Sequence, residues 1–236
     1  MRNENDYDKL VVKWTKRVVE HLHDRRDALA FLLPRISLEP WLVREYGCAI
    51  RSSVRELEID GQPCDMFFEV GDKSFNKQGK RVSFDLLIWP REPKLHDKEV
   101  IREIKEKAIV VEFKSGTLDR KKKGKKYKEI LGSSALVEGV YQDKKKLNEN
   151  ELRNGYVIGF LYTCNKFLQT RNQSWRPLNK EKGESFDGLR DNIVKEIKEK
   201  NNRVIPLNEN YRELSFEFSN REPSEKACFL IYKAKW

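Results

Sequence analysis

The most informative stretch of this sequence is an apolar run that ends on charge. Residues 108–114 read Ala-Ile-Val-Val-Glu-Phe-Lys, a composition suited to the interior of a β-strand. Side chains alternate faces along a strand, so Ile109, Val111 and Phe113 share one side while Val110, Glu112 and Lys114 share the other. An unpaired buried charge costs several kcal/mol. Glu112 and Lys114 therefore each need a partner or a task. Asp85 poses the same question, because it interrupts Phe84 and Leu86-Leu87-Ile88 in the strand expected to pair with 109–114. A third acid comes from a helix expected over 38–52. At about 100° per residue, Leu38, Trp41, Leu42, Glu45, Ala49 and Ser52 fall on one stripe, with Glu39 off it. Glu45, Asp85 and Glu112 are thus expected to converge on an anionic pocket beside Lys114. Soft ligands are missing. The four cysteines (Cys48, Cys64, Cys164, Cys228) form no C-x-x-C pair, and His21, His23 and His96 form no metal motif. Any metal must be held by oxygen, which points to a hard cation such as Mg²⁺.

Phe84-Asp85, then 26 intervening residues, then Glu112-Phe113-Lys114, resembles the PD-(D/E)xK nuclease signature. In that superfamily an acid on one strand precedes an E-x-K on the next, often with an upstream helical glutamate. Other E-x-K triplets occur here, such as Glu103-Ile104-Lys105 and Glu196-Ile197-Lys198, but only Glu112-Phe113-Lys114 closes an apolar β run. The likeness covers roughly residues 38–163. Three departures stand out: Phe84 replaces the proline, the gap is long, and Tyr141-Gln142-Asp143 stands where some relatives carry Q-x-x-x-Y. The resemblance implies an α/β restriction-endonuclease-like core, a mixed central sheet flanked by helices. It also implies metal-assisted phosphodiester hydrolysis. Asp85, Glu112 and the Phe113 carbonyl would hold Mg²⁺, with Mn²⁺ expected to substitute, and Glu45 would bind it directly or through water. Lys114 would orient the attacking water and stabilise charge on phosphorus. The implied protein is a type II restriction or defence endonuclease acting on DNA, with RNA left open. A structure-specific repair or recombination nuclease is the enzymatic alternative. A nucleic-acid-binding protein of the same fold without turnover is the other, since Asp85, Glu112 and Lys114 could equally form a metal-free ion pair.

The elements that must position these residues follow from periodicity. Leu10, Trp14, Val18 and Leu22 recur at steps of four, which predicts a helix over 6–23. Pro40 suits the first turn of the next helix. Alternating stretches at Leu57–Ile59, Met66–Val70 and Arg81–Trp89 predict strands, and 95–107 reads as a charged excursion with a short helix as its candidate structure. After the 108–114 strand come a helix over 133–147, a strand over 156–163 and a helix over 186–200. Strands around Leu214–Phe218 and Cys228–Tyr232 close the chain. The almost unbroken apolar run Tyr156–Thr163 suits a strand covered on both faces. No internal repeat or Gly/Ser/Pro-rich linker interrupts the 236 residues, so a single nuclease domain is expected, with an N-terminal helical region and a C-terminal extension.

Charge points to the partner. Lys and Arg outnumber Asp and Glu by 48 to 38, an excess that favours a polyanion. The loop 119–128 concentrates it in Arg120, Lys121, Lys122, Lys123, Lys125 and Lys126 with Tyr127 interleaved, placed to meet phosphates. Arg171 and Arg176 are further candidate nucleic-acid contacts. No apolar run approaches the roughly 18 residues of a membrane helix. The N-terminus carries no apolar leader segment, so a cytoplasmic protein with no membrane partner is expected. A homodimer is consistent with the restriction-enzyme resemblance.

Overall fold

The computed structural model describes residues 4–32, 38–76, 78–117, 120–121, 130–131, 133–163, 175–176, 185–200, 204–207, 211–217 and 226–234. Three helices come first: α1 (Glu4–Asp24), α2 (Arg26–Leu32) and α3 (Leu38–Arg55). The stripe Val11, Trp14, Val18 and Leu22 is fully buried, which is why α1 forms and where it packs. It lies along α3, where Thr15 meets the Tyr46 hydroxyl at 3.2 Å.

A two-strand turn, β1 (Glu58–Ile59) with β2 (Gln62–Pro63), leads into the sheet meander. That meander is β3 (Asp65–Asp72), β4 (Val82–Trp89) and β5 (Ile109–Thr117), each antiparallel to the one before. The long gap between the last two contains α4 (Lys98–Lys107), so the charged excursion is a helix. Asp97 caps it, its carboxylate accepting from Glu99 N at 2.9 Å, and Val100, Ile101 and Ile104 bury its inner face. The insertion thus carries its own amphipathic reason to fold.

Two short strands follow, β6 (Arg120–Lys121) and β7 (Ile130–Leu131), then the crossover helix α5 (Ser133–Glu149). The chain returns as β8 (Asn154–Tyr162), parallel to β5 and buried at all nine positions, as a strand covered on both faces must be. β9 (Trp175–Arg176) pairs with β6. Helix α6 (Phe186–Lys200), β10 (Val204–Pro206), β11 (Ser215–Glu217) and β12 (Lys226–Ala234) complete the chain. The central sheet runs β10-β12-β8-β5-β4-β3, with β11 added on β12. Only β5 and β8 among these pairs are parallel, so this is a mixed sheet in an α/β fold flanked by helices.

Alternation along β5 fixes the layers. Phe113 meets Tyr46 of α3 edge-on, ring centroids 5.0 Å apart. Glu112 and Lys114, on the opposite face, meet side chains of α5. Helices α3 and α5 therefore cover opposite faces, and the end of β5 lies between them.

Of the cysteines, Cys64 and Cys228 are buried and Cys48 is exposed. Cys164 lies outside the described residues. Burial pushes the Cys228 thiol up to about 12, so it is protonated at neutral pH. Among the described residues, no helix is long and apolar enough to cross a membrane.

Candidate functional site

The ladder between β4 and β5 ends at Leu86↔Val111. The next residues along, Asp85 and Glu112, would face each other if pairing continued. Instead the strands part, and an Asp85 carboxylate oxygen accepts the Phe113 N–H at 2.8 Å. The other side of Asp85 is irregular too. Registers Phe68↔Leu86 and Val70↔Phe84 bracket Glu69, which faces Asp85 at a positive φ of 53°. That conformation is uncommon for a residue with a side chain and is a mark of local constraint. Sheet regularity thus fails on both sides of Asp85, which opens space there. A cleft of about 490 Å³ forms, lined by Glu39, Val43, Arg44, Phe68, Glu69 and Asp85.

Glu112 is 1% exposed, and its Oε2 lies 2.7 Å from Lys146 Nζ of α5. Its other oxygen, Oε1, is buried with no hydrogen-bond partner among the described residues. Burial pushes this carboxyl well above the usual range; Lys146 opposes the rise, and the nearby Asp85 and Asp143 charges add to it. Lys114 reaches Asp143 Oδ2 at 3.1 Å and Glu39 Oε2 at 3.4 Å. Burial alone would lower its pKa, but the Asp143 and Glu39 carboxylates outweigh that and push it up to about 12. Lys114 is a fixed positive charge at neutral pH. Glu39 also accepts Ser115 N–H through Oε1 at 3.1 Å, which ties the start of α3 to the end of β5.

Asp85, Glu112 and Lys114 are therefore brought together. Glu45 is not. It faces the end of α1 and the turn that follows, where its Oε2 meets His21 Nε2 at 2.7 Å and Arg25 Nη1 at 2.5 Å. The reason is that α3 packs on two neighbours, and its apolar stripe turns toward α1 as well as toward the sheet. The helical glutamate that reaches the site is Glu39, which lies off that stripe. Among the described residues, no group of three or more His, Cys, Asp and Glu side chains is disposed to hold a metal, so the expected triple-carboxylate pocket is not formed. Replacing Glu45 with Gln should lower stability by about 1–2 kcal/mol through lost charge-assisted bonds to half-exposed partners. It should leave any response to Mg²⁺ unchanged. Melting curves with and without the ion check both halves.

Comparison with protein-family models, curated proteins and solved structures finds no match to this chain. What the site can do rests on its own geometry.

Three participants are not legible from the motif. Glu39 is off the stripe that the helical wheel selects. Asp143 and Lys146 sit three apart on α5 between buried Val140 and Leu147, the same signal of charge on an apolar face that singles out Glu45. Gln142, one residue away, points elsewhere and donates to Glu138 at 2.7 Å. In the basic loop, Lys122, Lys123, Lys125, Lys126 and Tyr127 lie outside the described residues, as does Arg171. The backbones of Arg120 and Lys121 are described, and Arg120 is the register partner of Arg176 across β6 and β9. Three of the candidate contacts, Arg120, Lys121 and the sequence-distant Arg176, therefore share one small sheet.

The donors fit a hard divalent cation. Asp85 and Glu112 would offer it carboxylate oxygens, and Glu112 Oε1 is a buried acceptor with no partner among the described residues. The Phe113 N–H turns toward β4, and in a strand the carbonyl of the same residue projects to the same edge.

The raised Glu112 carboxyl makes a pH prediction. Folding takes up a proton where the folded pKa exceeds the unfolded one, so stability is full below the unfolded value and falls as pH rises through the folded value. In chelator, the wild type should lose stability relative to Glu112→Gln over the pH range that opens at about 4.5, the ordinary carboxyl value, and runs up to the raised folded value. A melting-temperature difference that stays constant across that window would contradict the burial assignment.

Proposed function

We propose that the chain is a Mg²⁺-dependent endonuclease of restriction-endonuclease-like fold that hydrolyses DNA phosphodiester bonds. The observation that carries this reading is the parting of β4 and β5 at Asp85 and Glu112, with Lys114 beside them. An antiparallel meander, a crossover helix and a parallel strand surround that point, an order that supports the PD-(D/E)xK resemblance.

Asp85, Glu112 and the Phe113 carbonyl would hold the ion. When bound, it would supply charge to a phosphoryl oxygen and acidify a water. The chain's own residues do the rest. Lys114, charged through the neutral range, cannot serve as a general base and acts as a fixed cation for developing negative charge. Glu39 and Asp143 hold its ammonium between two helices, so its position is set before substrate arrives. Phe68, 44% exposed in the cleft beside Asp85, offers an aromatic face, and Arg44 offers a cation. The excess of Lys and Arg supplies the long-range attraction to a polyanion.

Among nucleases, the PD-(D/E)xK resemblance favours a type II restriction or defence role. One observation favours a second reading: Lys146 already neutralises Glu112, as in a nucleic-acid-binding protein that has lost turnover. Incubating the protein with supercoiled plasmid, with and without Mg²⁺, separates the two. Nicked or linear product only with the ion supports the nuclease. Binding without cleavage under either condition supports the second reading.

A further inference from the structure

We infer that Lys146 is an internal counter-ion that holds Glu112 in the metal-free protein and leaves it when a divalent cation binds. The inference rests on the metal-site reading above and adds to it a residue outside the E-x-K motif.

The geometry around Nζ carries the argument. It lies 2.7 Å from Glu112 Oε2, 3.5 Å from Asp143 Oδ1, and donates to the Ser83 carbonyl at 3.1 Å. Three oxygens from β5, α5 and β4 therefore surround one positive centre. Oxygen donors converging from several elements are also what a hard cation needs. The carboxylate they share is 1% exposed and cannot remain charged there without a cation close by. One ammonium satisfies one of its oxygens and leaves Oε1 without a partner among the described residues.

An ammonium and a divalent ion cannot share this carboxylate comfortably. Two positive charges within a few ångströms of each other repel in a poorly screened interior. Lys146 is free to go. Its side chain is 28% exposed, on a flexible four-carbon stem, and Asp143 offers an acceptor outside Glu112. Lys114 makes the contrast plain: it touches Asp143 and Glu39, so ion binding at Glu112 does not require it to move. The consequence is a site whose buried carboxylate is paired before the ion arrives, with a metal affinity weakened by its own lysine.

Two readouts independent of cleavage test this, both on DNA-free full-length protein. Acylation of lysine amines, mapped by peptide mass, should show Lys146 severalfold more reactive with Mg²⁺ than in chelator, while Lys114 changes little. Titration calorimetry at mildly alkaline pH should show Lys146→Met binding Mg²⁺ about tenfold more tightly than wild type. Lys146→Gln, which keeps a polar arm without the charge, should shift affinity the same way and serves if Lys146→Met does not fold. Wild-type binding with unchanged Lys146 reactivity, or neutral variants that bind no tighter, would overturn the counter-ion while leaving the metal site standing. Failure of the wild type and both variants to bind Mg²⁺, or full binding by Asp85→Asn, would overturn the metal-site reading and this inference with it.

Discussion

Asp85→Asn and Glu112→Gln are each expected to cut Mg²⁺-dependent DNA cleavage on the order of a thousandfold or more while DNA binding persists. The substitutions are nearly isosteric, so their effect is on charge. Asp85→Asn retains an oxygen able to accept the Phe113 N–H that Asp85 holds at 2.8 Å, which should keep the parted strands in place. Glu112→Gln removes a buried charge whose partner, Lys146, is 28% exposed and keeps Asp143 within 3.5 Å, so the metal-free fold should not suffer. Phosphate is repelled by these carboxylates when no ion is bound, so DNA affinity in chelator should hold or improve. Electrophoretic shift in chelator and plasmid cleavage in Mg²⁺ provide the two measurements. Cleavage equal to wild type in both variants would remove this pair from the chemistry and leave it as a structural ion cluster.

The core is legible because burial leaves a period in the sequence. The stripe of α1, the alternation of β4 and the apolar run of β8 each record a neighbour that the sequence does not name. For β8 the run even records that both faces are covered. The charged exceptions within those patterns are legible for the same reason, and Asp85, Glu112 and Lys114 stand out through them. What the pattern does not contain is direction. Glu45 stands on a buried stripe as expected, at 8% exposure, but the stripe faces two neighbours and the one opposite Glu45 is α1. Glu39 is half-buried at the first turn of α3 and reaches over the end of β5 to Ser115 and Lys114. A helical wheel describes what surrounds the middle of a helix and says little about its ends. Helix α4 is legible only as a short helix in a charged excursion, because so many of its residues are charged that three buried positions, Val100, Ile101 and Ile104, supply its whole apolar face.

Neutralising Lys114 should have the next largest effect, a loss of about a hundredfold to a thousandfold in kcat for Lys114→Met. That variant alone is ambiguous, because it also strips Asp143 and Glu39 of a shared cation and will cost stability. Gly139 offers a cleaner test. It lies on α5 directly against Lys114, and a Cβ built there would stand 2.7 Å from the lysine Cδ and 3.1 Å from its Cγ. Gly139→Ala must therefore push the Lys114 stem aside without touching its charge. The same change favours the helix by roughly 0.5–1 kcal/mol, since glycine costs about that much relative to alanine in a helix interior. The two effects have opposite signs on the two measurements. Melting temperature should hold or rise, while cleavage falls because the ammonium is displaced from its place between Asp143 and Glu39. Gly139→Ala that melts no lower than wild type and cleaves at the wild-type rate would show that the position of Lys114 does not matter to the reaction. If Lys114→Met also kept full activity, the lysine would be no more than the cation that lets two carboxylates share the gap between α3 and α5.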